Sequence, residues 1–315
     1  MEDLLYSKLN DYYPRMLNLL EKMVNIDSGS NNNQGIKQVL GLIEPLLGEL
    51  GFNFQRITGT TGPHLLARGS RAPNFLLVGH VDTVFQEGTA TSNPFSRKDK
   101  RIYGPGVADM KAGVVGLLYT LRVLADVSRI HHQAAIILNS DEEISSPGSR
   151  ELIAEEAARV KAGFVFESSP CINEIITGAS GVGKMKLEIK GRSSHAGDNP
   201  EAGLSANLEL ARKIIELEGL TELDRGLLVN VGTMEGGTAR NVIPGQSRAS
   251  IDLRFNTLSD GERLVSEIKK ICHNTTDPGY RVRLKGGLSR PPYHPDRASK
   301  KLLAMLTEAG SRMGL

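Results

Sequence analysis

The sequence predicts an α/β protein of two domains, in which a mostly parallel sheet covered by helices is followed by a smaller α+β domain. Up to about Thr177, short continuous apolar segments alternate with segments of helical period, as in parallel sheets that are buried on both faces. After Thr177, apolar and polar residues alternate, as in strands with one solvated face. The length of 315 residues also favours two domains, since a domain averages roughly 150 residues.

The first part of the chain begins with two predicted helices, at about residues 14–26 and 35–50, where apolar residues recur every three or four positions. Gly51 follows the second helix, as glycine often does at a helix end. We assign residues 1–180 to this first, sheet-containing domain. Its later predicted elements are, in order, apolar strands at 64–67 and 75–78, a helix at 111–124, an apolar strand at 134–138, a helix after Pro147 and an apolar strand at 164–166.

The second part has the order strand, helix, strand, strand, helix, strand, which describes a compact sandwich with one open sheet face. We assign it to residues 181–288 as an inserted domain. Residues 289–315 contain one more predicted helix, at 296–313, and are expected to begin a segment that returns to the first domain. The elements of the inserted domain are strands at 184–190, 228–233, 249–255 and 280–284, and helices after Pro200 and at about 261–272.

Composition narrows the choice of partner and compartment. The 38 basic and 36 acidic residues give a formal charge of +2, and no basic block occurs, so a small solute is favoured over nucleic acid. Cys171 and Cys272 show no CxxC spacing, which argues against a disulfide framework and favours the cytosol. The N-terminus lacks the basic region of a signal peptide, and no apolar run approaches the roughly 20 residues of a membrane span. We therefore expect a cytoplasmic protein without a membrane partner.

One strand end and one glycine-rich turn in the first part carry residues suited to metal binding. His80 ends an apolar run and Asp82 follows two residues later; a metal-bound histidine usually needs a carboxylate to fix its tautomer. The pair alone is equally compatible with a surface turn. Asp109 follows a glycine-rich turn just ahead of a helix, where it could cap the helix or bridge two cations.

Two further strand ends carry acids. Asp141, Glu142 and Glu143 follow one apolar run, and Glu167 follows another. Adjacent like charges cost stability unless cations or donors compensate them, so the three consecutive acids indicate metal, with a solvated acidic loop as the alternative. Ligands of open parallel sheets bind beyond the carboxyl ends of the strands. The sequence therefore predicts that all four elements, the three strand ends and the turn of Asp109, meet at one site.

The motifs together resemble those of the M20 metallopeptidases, a family of carboxypeptidase G-like enzymes, aminoacylases, and acetylornithine and succinyl-diaminopimelate deacylases. The resemblance implies a zinc-peptidase-like three-layer catalytic domain and an inserted ferredoxin-like lid that also forms a homodimer. The matching motifs span most of the chain in the family's order: GHVDTV at His80, GPGVADMKAG at Asp109, SDEE at Asp141, FES at Glu167, SSHAG at His195 and ARNVIPG at Asn241.

The resemblance implies two zinc ions per subunit, with cobalt or manganese as possible substitutes. His80, Asp109 and Glu167 would hold one ion. Asp109 and Glu143 would hold the second, with Asp109 bridging the pair. The resemblance also implies a cis peptide bond between Asp109 and Met110.

Three residues take catalytic roles by the same resemblance. Glu142 would be the general base for a water shared by the two ions, which is physically coherent because paired cations acidify such a water. Asp82 would orient the zinc-binding histidine. His195 of the lid would reach across the dimer interface and donate a hydrogen bond to the oxyanion, although a plain loop histidine is the competing interpretation.

The lid and its hinge also offer residues for a substrate carboxylate. Asn241, Arg254 and Arg290 match lid and hinge positions of the family that bind it, and Ser180 is a further candidate. A guanidinium pairs with a carboxylate through two parallel hydrogen bonds, while an exposed salt bridge is the alternative for either arginine. The implied function is zinc-dependent hydrolysis of an amide bond next to a free α-carboxylate, with a C-terminal glutamate or an N-acyl amino acid as substrate. The alternative is a deacetylase of acetylornithine type or an aminoacylase.

The C-terminal part departs from the family pattern. Family members continue with a glycine-rich segment and a late histidine that completes the second zinc site, and His294 does not match that ligand. We expect the sequence to be a shortened form of an active enzyme. The alternative, from another functional class, is a catalytically incomplete binding or assembly module that lacks the last metal ligand.

Overall fold

The computed structural model describes residues 2–59, 61–169 and 174–314. The chain forms two compact units, Met1–Ile172 and Asn173–Leu315. Of the two cysteines, Cys272 is buried as a free thiol, while Cys171 lies outside the described residues. Among the described residues, no helix is both long enough and apolar enough to cross a bilayer.

The first unit contains a five-stranded sheet in the order β1-β2-β6-β3-β7. Strand β2 pairs antiparallel with both neighbours, whereas β6, β3 and β7 pair in parallel, so four of the five strands run in one direction. This confirms the mostly parallel sheet. The elements of the unit are α1 (Glu2–Val24), α2 (Asn33–Glu49), β1 (Asn53–Thr58), β2 (Pro63–Arg68), β3 (Phe75–His80), α3 (Thr89–Ser92), β4 (Ser96–Lys98), β5 (Arg101–Tyr103), α4 (Ala112–Val127), β6 (Ala134–Asn139), α5 (Arg150–Ala157) and β7 (Ala162–Val165).

Strand β6 shows how this sheet is covered on both faces. All six of its residues are buried. Ile136 belongs to the large core that also contains the apolar faces of α1, α2 and α4. Ile137 points to the other face, where Leu152 and Ile153 of α5 pack against the sheet. Because the side chains of a strand alternate between faces, a run that is apolar throughout is the sequence signature of this layer order.

The first helix starts earlier than the sequence predicts. The apolar period indicates a helix from about residue 14, but α1 begins at Glu2 and continues through Pro14. Tyr12 stabilises the extra turns: its ring lies 5.7 Å from that of Tyr119 in α4, and its hydroxyl donates to Asp126 Oδ2 at 2.8 Å. Helix α2 ends as predicted, with Gly51 at a φ of 75° just beyond its last turn.

The second unit contains a four-stranded antiparallel sheet in the order β10-β12-β8-β13. Its strand and helix order agrees with the sequence prediction, and this arrangement is the ferredoxin-like one. Its elements are β8 (Gly181–Lys190), β9 (Ser194–His195), α6 (Ala206–Glu218), β10 (Leu228–Gly236), β11 (Val242–Ile243), β12 (Gln246–Phe255), α7 (Leu258–His273), β13 (Arg281–Arg290) and α8 (Arg297–Arg312).

One face of this second sheet is buried and the other is open. Along β8, Met185, Leu187 and Ile189 are buried in the core with α6 and α7, while Lys186 and Glu188 between them are exposed. The final helix is α8, and the carboxylate of Asp296 caps it by accepting the Ser299 N–H at 2.7 Å. That residues 289–315 begin a returning segment of the first domain stays a prediction.

Candidate metal centre

His80 is the last residue of β3, and its side chain is fully buried. Its Nδ1 lies 2.9 Å from the carbonyl oxygen of Asp82 and 3.3 Å from the carboxylate atom Oδ1 of the same residue. Acceptors around Nδ1 place a proton there, which leaves Nε2 as the ligand nitrogen. Nε2 lies 3.0 Å from Asp109 Oδ1 and 3.3 Å from Glu167 Oε1.

Asp109 lies on the turn Val107–Lys111, directly ahead of α4. The cap of α4 is Lys111, so the interpretation of Asp109 as a helix cap is wrong. The Asp109–Met110 peptide bond is cis, as the family resemblance implies. The side chain of Met110 is fully buried, and its sulfur accepts the backbone N–H of His80 at 3.1 Å. The turn that carries Asp109 is thereby fixed to the end of β3.

The three consecutive acids after β6 have different surroundings. Asp141 is fully buried, and its carboxylate accepts hydrogen bonds from Gly148 N at 2.6 Å and from Ser149 Oγ at 2.6 Å. It stabilises its own loop and does not face His80. Glu142 and Glu143 form a short 3₁₀ turn and are half-buried. The description of this segment as a solvated acidic loop is therefore wrong.

Donor atoms of the predicted ligands and of the predicted base, Glu142, converge in two groups. His80, Asp109 and Glu143 each place one donor atom within 4.8 Å of the others, and His80, Glu142 and Glu167 do the same. The structure thus brings together residues predicted from three strand ends and from the turn of Asp109. One imidazole and several carboxylates form a donor set that suits a divalent ion such as zinc.

Asp82 connects the histidine to the acids. Besides facing His80, its two carboxylate oxygens accept the backbone N–H groups of Glu142 and Glu143, each at 3.2 Å, and Oδ2 accepts the hydroxyl of Ser30 at 2.7 Å. The sequence does not predict the part played by Ser30, because it lies 52 positions from Asp82 in no recognisable motif. Asp82 holds the positions of the histidine and of both acids at once.

Glu167 follows β7, whose pairing with β3 is extended by a hydrogen bond from Phe166 N to Val78 O at 3.0 Å. The start of α4 packs directly on this segment. A Cβ atom on Gly113 would lie 1.9 Å from the Phe166 carbonyl oxygen, so only glycine permits this approach. The contact brings the turn of Asp109 and the segment of Glu167 to the same place.

The charges of the site favour a cation. Burial, and next the charge of Asp109, raise the pKa of Glu143 to about 7, and burial also raises the pKa of Glu142. Burial alone would lower the pKa of His80, but hydrogen bonds to Asp82 and Glu167 outweigh it and raise that pKa to about 11. In the described part of the chain, no ion pair joins these clustered carboxylates to a lysine or arginine. A divalent ion would offset this surplus of negative charge.

A buried histidine outside the predicted set supports the same loop. His64 of β2 is almost fully buried, and its Nδ1 accepts the backbone N–H of Ser140 at 3.2 Å. Burial lowers the pKa of His64, so the neutral ring is favoured. Ser140 is the residue between β6 and the acids, and His64 therefore holds the point at which the acidic segment leaves the sheet.

In the second unit, His195 and Asn241 lie together. The pairing of β9 with β11 makes Val242 the partner of His195 and brings Asn241 Nδ2 within 3.3 Å of the imidazole Nε2. His195 Nδ1 accepts the backbone N–H of Asp198 at 3.1 Å. Both ring nitrogens thus face an N–H donor, and Nδ1 also lies 3.1 Å from the carboxylate atom Oδ2 of Asp198.

The two predicted arginines lie at the same level of the second sheet. Arg254 of β12 and Arg290 of β13 are both register partners of Val182 in β8, one on each side of it. Arg254 also pairs with Asp252, its Nε lying 2.8 Å from Oδ2. Ser180 donates its hydroxyl to Asn256 Oδ1 at 3.0 Å. This exposed pair would contribute little stability, and both interpretations of Arg254, as a salt-bridge partner and as a ligand of the substrate carboxylate, stay predictions.

A model of the peptidase dimerisation domain matches residues 177–279, and a model of peptidase family M28 matches residues 65–180. Carboxypeptidase G2 of Pseudomonas sp. (strain RS-16) is 29% identical over 325 residues, which cover 100% of this chain and 78% of that protein. Acetylornithine deacetylase of Proteus mirabilis (strain HI4320) is 30% identical over 311 residues, which cover 91% of this chain and 77% of the relative.

Solved structures share the fold. The M20 family metallo-carboxypeptidase Sso-CP2 from Sulfolobus solfataricus superposes with a TM-score of 0.75 at 17% identity, covering 95% of this chain and 84% of that one. The fold and the convergent donor set define a metallohydrolase of the α/β class. Together with the sequence relatives, they show that the chain belongs to the M20 peptidase family, whose members hydrolyse peptide or N-acyl amide bonds.

Proposed function

We propose that the chain is a zinc-dependent hydrolase of the amide bond next to a free α-carboxylate, acting on a C-terminal glutamate or on an N-acyl amino acid. The observation that carries this proposal is the convergence of His80, Asp109, Glu142, Glu143 and Glu167 at one sheet edge. Among the described residues these carboxylates form no ion pair with a lysine or arginine, so a buried imidazole surrounded by them is suited to bind cations. The relatives add the reaction class, since one is a carboxypeptidase and the other a deacetylase.

Two divalent ions are assigned to this cluster. His80, Asp109 and Glu167 would hold one ion, and Asp109 and Glu143 the other. The position of Asp109 Oδ1, 3.0 Å from His80 Nε2 and grouped with Glu143, supports its role as the shared ligand. Bound ions of this kind acidify water and polarise an amide carbonyl. Cobalt or manganese would serve in the same donor set.

Glu142 is the proposed general base. It lies within the cluster, and its backbone N–H is held by Asp82 Oδ1 at 3.2 Å. Its burial raises the pKa of the carboxyl, which favours both taking a proton from the attacking water and returning it to the leaving nitrogen. Asp82 is the orienting residue for the histidine and for the acids.

Residues of the lid and of its two borders are assigned to the substrate. Arg254 and Arg290, at one level of the open sheet face, would bind the α-carboxylate with Asn241 and Ser180. His195 would donate a hydrogen bond to the oxyanion in a homodimer, the assembly that the match to a dimerisation domain supports. The domain assignment stays as proposed from the sequence: residues 1–180 catalytic, 181–288 lid and 289–315 a returning segment.

A deacetylase of acetylornithine type is the second candidate, because the Proteus relative is 30% identical over most of this chain. The two activities differ in the amino acid that is released. Comparing N-acetyl-ornithine with N-acetyl-glutamate at equal concentration separates them, since the acyl group is the same. A preference for the ornithine compound would reverse our choice between the two.

A pair of variants at adjacent acids tests the mechanism. Glu142→Ala should abolish hydrolysis of N-acetyl-glutamate while the zinc content stays that of the parent protein. Glu143→Ala is the matched control, because the same truncation one residue later should lower the zinc content, measured by mass spectrometry after dialysis. Loss of zinc in Glu142→Ala with zinc retained in Glu143→Ala would mean that the two roles are exchanged. A zinc-loaded parent that binds the compound without cleaving it would instead support a binding module.

A further inference from the structure

A cavity of about 570 Å³ adjoins the metal cluster within the first unit. Three segments line it: residues 29–33, residues 83–87, and the pair Glu143 and Ile144. Its volume falls in the range of small-molecule sites, about 300–1,000 Å³. Since Glu143 is part of both the donor cluster and the wall, a group bound in the cavity would be continuous with a substrate at the metal site.

Hydrogen bonds fix the walls of this cavity to the cluster. Ser30 donates its backbone N–H to Thr83 O at 3.3 Å and its hydroxyl to Asp82 Oδ2 at 2.7 Å. Asp82 in turn holds the backbone N–H of Glu143. The loop that precedes α2 therefore has a defined position relative to the proposed ligands. Such preformed walls are typical of substrate pockets.

Apolar side chains project from these walls into solvent. Val84 is 67% exposed, Phe85 42% and Ile144 42%, and each follows closely after a residue of the cluster in the sequence. Large apolar side chains grouped in a concave surface are a mark of a binding site. An apolar group placed there would remove their surface from water.

The charge of the lining makes the cavity unfavourable for an anionic group. Of the lining residues in the described part of the chain, only Glu87 and Glu143 are charged, and the proposed function assigns Glu143 to a metal ion. An anionic group in the cavity would thus meet the negative charge of Glu87 and find no lysine or arginine in the lining to pair with. The two arginines proposed to bind the substrate belong to the other unit, where they are assigned to the α-carboxylate.

We infer that this cavity binds the acyl group of the substrate and selects an uncharged, apolar acyl group over an anionic one. The inference rests on the proposed amide hydrolysis, which assigns the carboxylate of the amino acid to the lid and leaves the acyl group for the first unit. It adds a specificity that the proposed function does not contain. Asn31 and Asn33 provide amides in the same wall for a neutral polar group on that acyl chain.

Two substrates of matched length provide the test. N-butanoyl-glutamate and N-succinyl-glutamate have four-carbon acyl groups and differ mainly in a terminal carboxylate. We expect kcat/KM to be at least about tenfold higher for the butanoyl compound, because like charges placed together at a binding site are strongly unfavourable. The same order is expected for the Kd values measured by calorimetry with zinc-loaded Glu142→Gln protein.

A cation in the wall should change this preference. Val84→Lys should reduce the butanoyl-to-succinyl ratio by about tenfold or reverse it, and its high exposure makes the substitution compatible with folding. Ile144→Lys is a second variant in the same wall. Ile130→Lys is the matched control, since Ile130 is also an exposed β-branched residue but lies at the opposite end of β6. The ratio should stay at the parent value in this control.

The outcomes separate the inference from the function it rests on. The inference is overturned if the parent protein cleaves both compounds at equal rates and Val84→Lys and Ile144→Lys behave like Ile130→Lys. The cavity would then not select the acyl group, although the proposed amide hydrolysis would stand. If the zinc-loaded parent cleaves no N-acyl amino acid, the proposed function itself fails. A preference for the succinyl compound would also overturn the inference.

Discussion

Replacing Gly113 by alanine tests how closely α4 must approach the segment that carries Glu167. The new Cβ would lie 1.9 Å from the Phe166 carbonyl oxygen, whereas ordinary contacts begin at 3.4 Å. Helix and segment would have to separate by about 1.5 Å, an overpacking that typically costs about 1–3 kcal/mol. Because metal–ligand distances tolerate only about 0.2 Å, the same shift should weaken zinc binding.

Gly116→Ala is the matched control in the same helix. A Cβ atom there meets nothing within 4 Å, so alanine should stabilise the helix by about 0.5–1 kcal/mol through its better propensity. That gain is common to both variants, and their difference in free energy of unfolding should equal the cost of overpacking, about 1–3 kcal/mol. Urea unfolding measures the difference, and zinc competition with a chelator measures the affinity. Equal stability and equal zinc affinity in the two variants would refute the close packing of α4 on the Glu167 segment.

Three other perturbations have defined outcomes. Asp82→Asn should lower zinc affinity by about 10–100-fold, the usual effect of losing a residue that orients a ligand. Asp141→Asn, equally buried but bonded within its own loop, should lower stability more than zinc affinity, and equal losses of zinc affinity in the two variants would contradict the orienting role of Asp82. Because the pKa of His64 is lowered in the folded protein, the unfolded chain binds more protons than the folded one once pH falls below about 6.5, and the parent should lose more stability than His64→Asn between pH 7.5 and 5. If urea unfolding shows the same pH dependence of stability in both proteins, this role of His64 is wrong. Lys213→Met should cost about 3–5 kcal/mol of unfolding free energy, because the buried Glu209, 3.3 Å from the lysine Nζ, would lose its nearest cation and keep only the more distant Arg212 at 3.9 Å. A double variant with Glu209→Leu should recover part of that loss, and failure to recover any would exclude the poorly compensated charge of Glu209 as the cause.

The fold was predictable wherever burial leaves a clear pattern. Strands β3 and β6 are apolar runs because both faces of the sheet are covered, and β8 alternates because one face is open. Strand β1 was not predicted. It is an edge strand with a burial pattern close to fully exposed, so its polar residues give no period. The hairpin of β4 and β5 was not predicted for the same reason, since its two strands are short and largely exposed.

The candidate site was predictable at the level of strand ends and not at the level of individual contacts. Parallel strands deliver His80 and Glu167 to one edge, and this follows from topology alone. Which of three consecutive acids faces the histidine depends on the 3₁₀ turn and on the donors of Gly148 and Ser149, which draw Asp141 away. The close approach at Gly113 depends on tertiary packing, which no local pattern encodes.

The acids Asp82, Asp141 and Glu143 differ in what offsets their charge, and this difference explains how one sheet edge can contain several carboxylates. Asp82 and Asp141 each accept several hydrogen bonds from backbone and hydroxyl groups of the chain. Glu143 has no such donor among the described residues, and the pKa of its carboxyl is raised to about 7 by burial and by Asp109. A carboxylate whose charge is already offset gains little from a cation, whereas one without donors gains much. The first pair is therefore suited to fix the loops, and Glu143 to bind metal, although all three belong to the same short stretch of sheet edge.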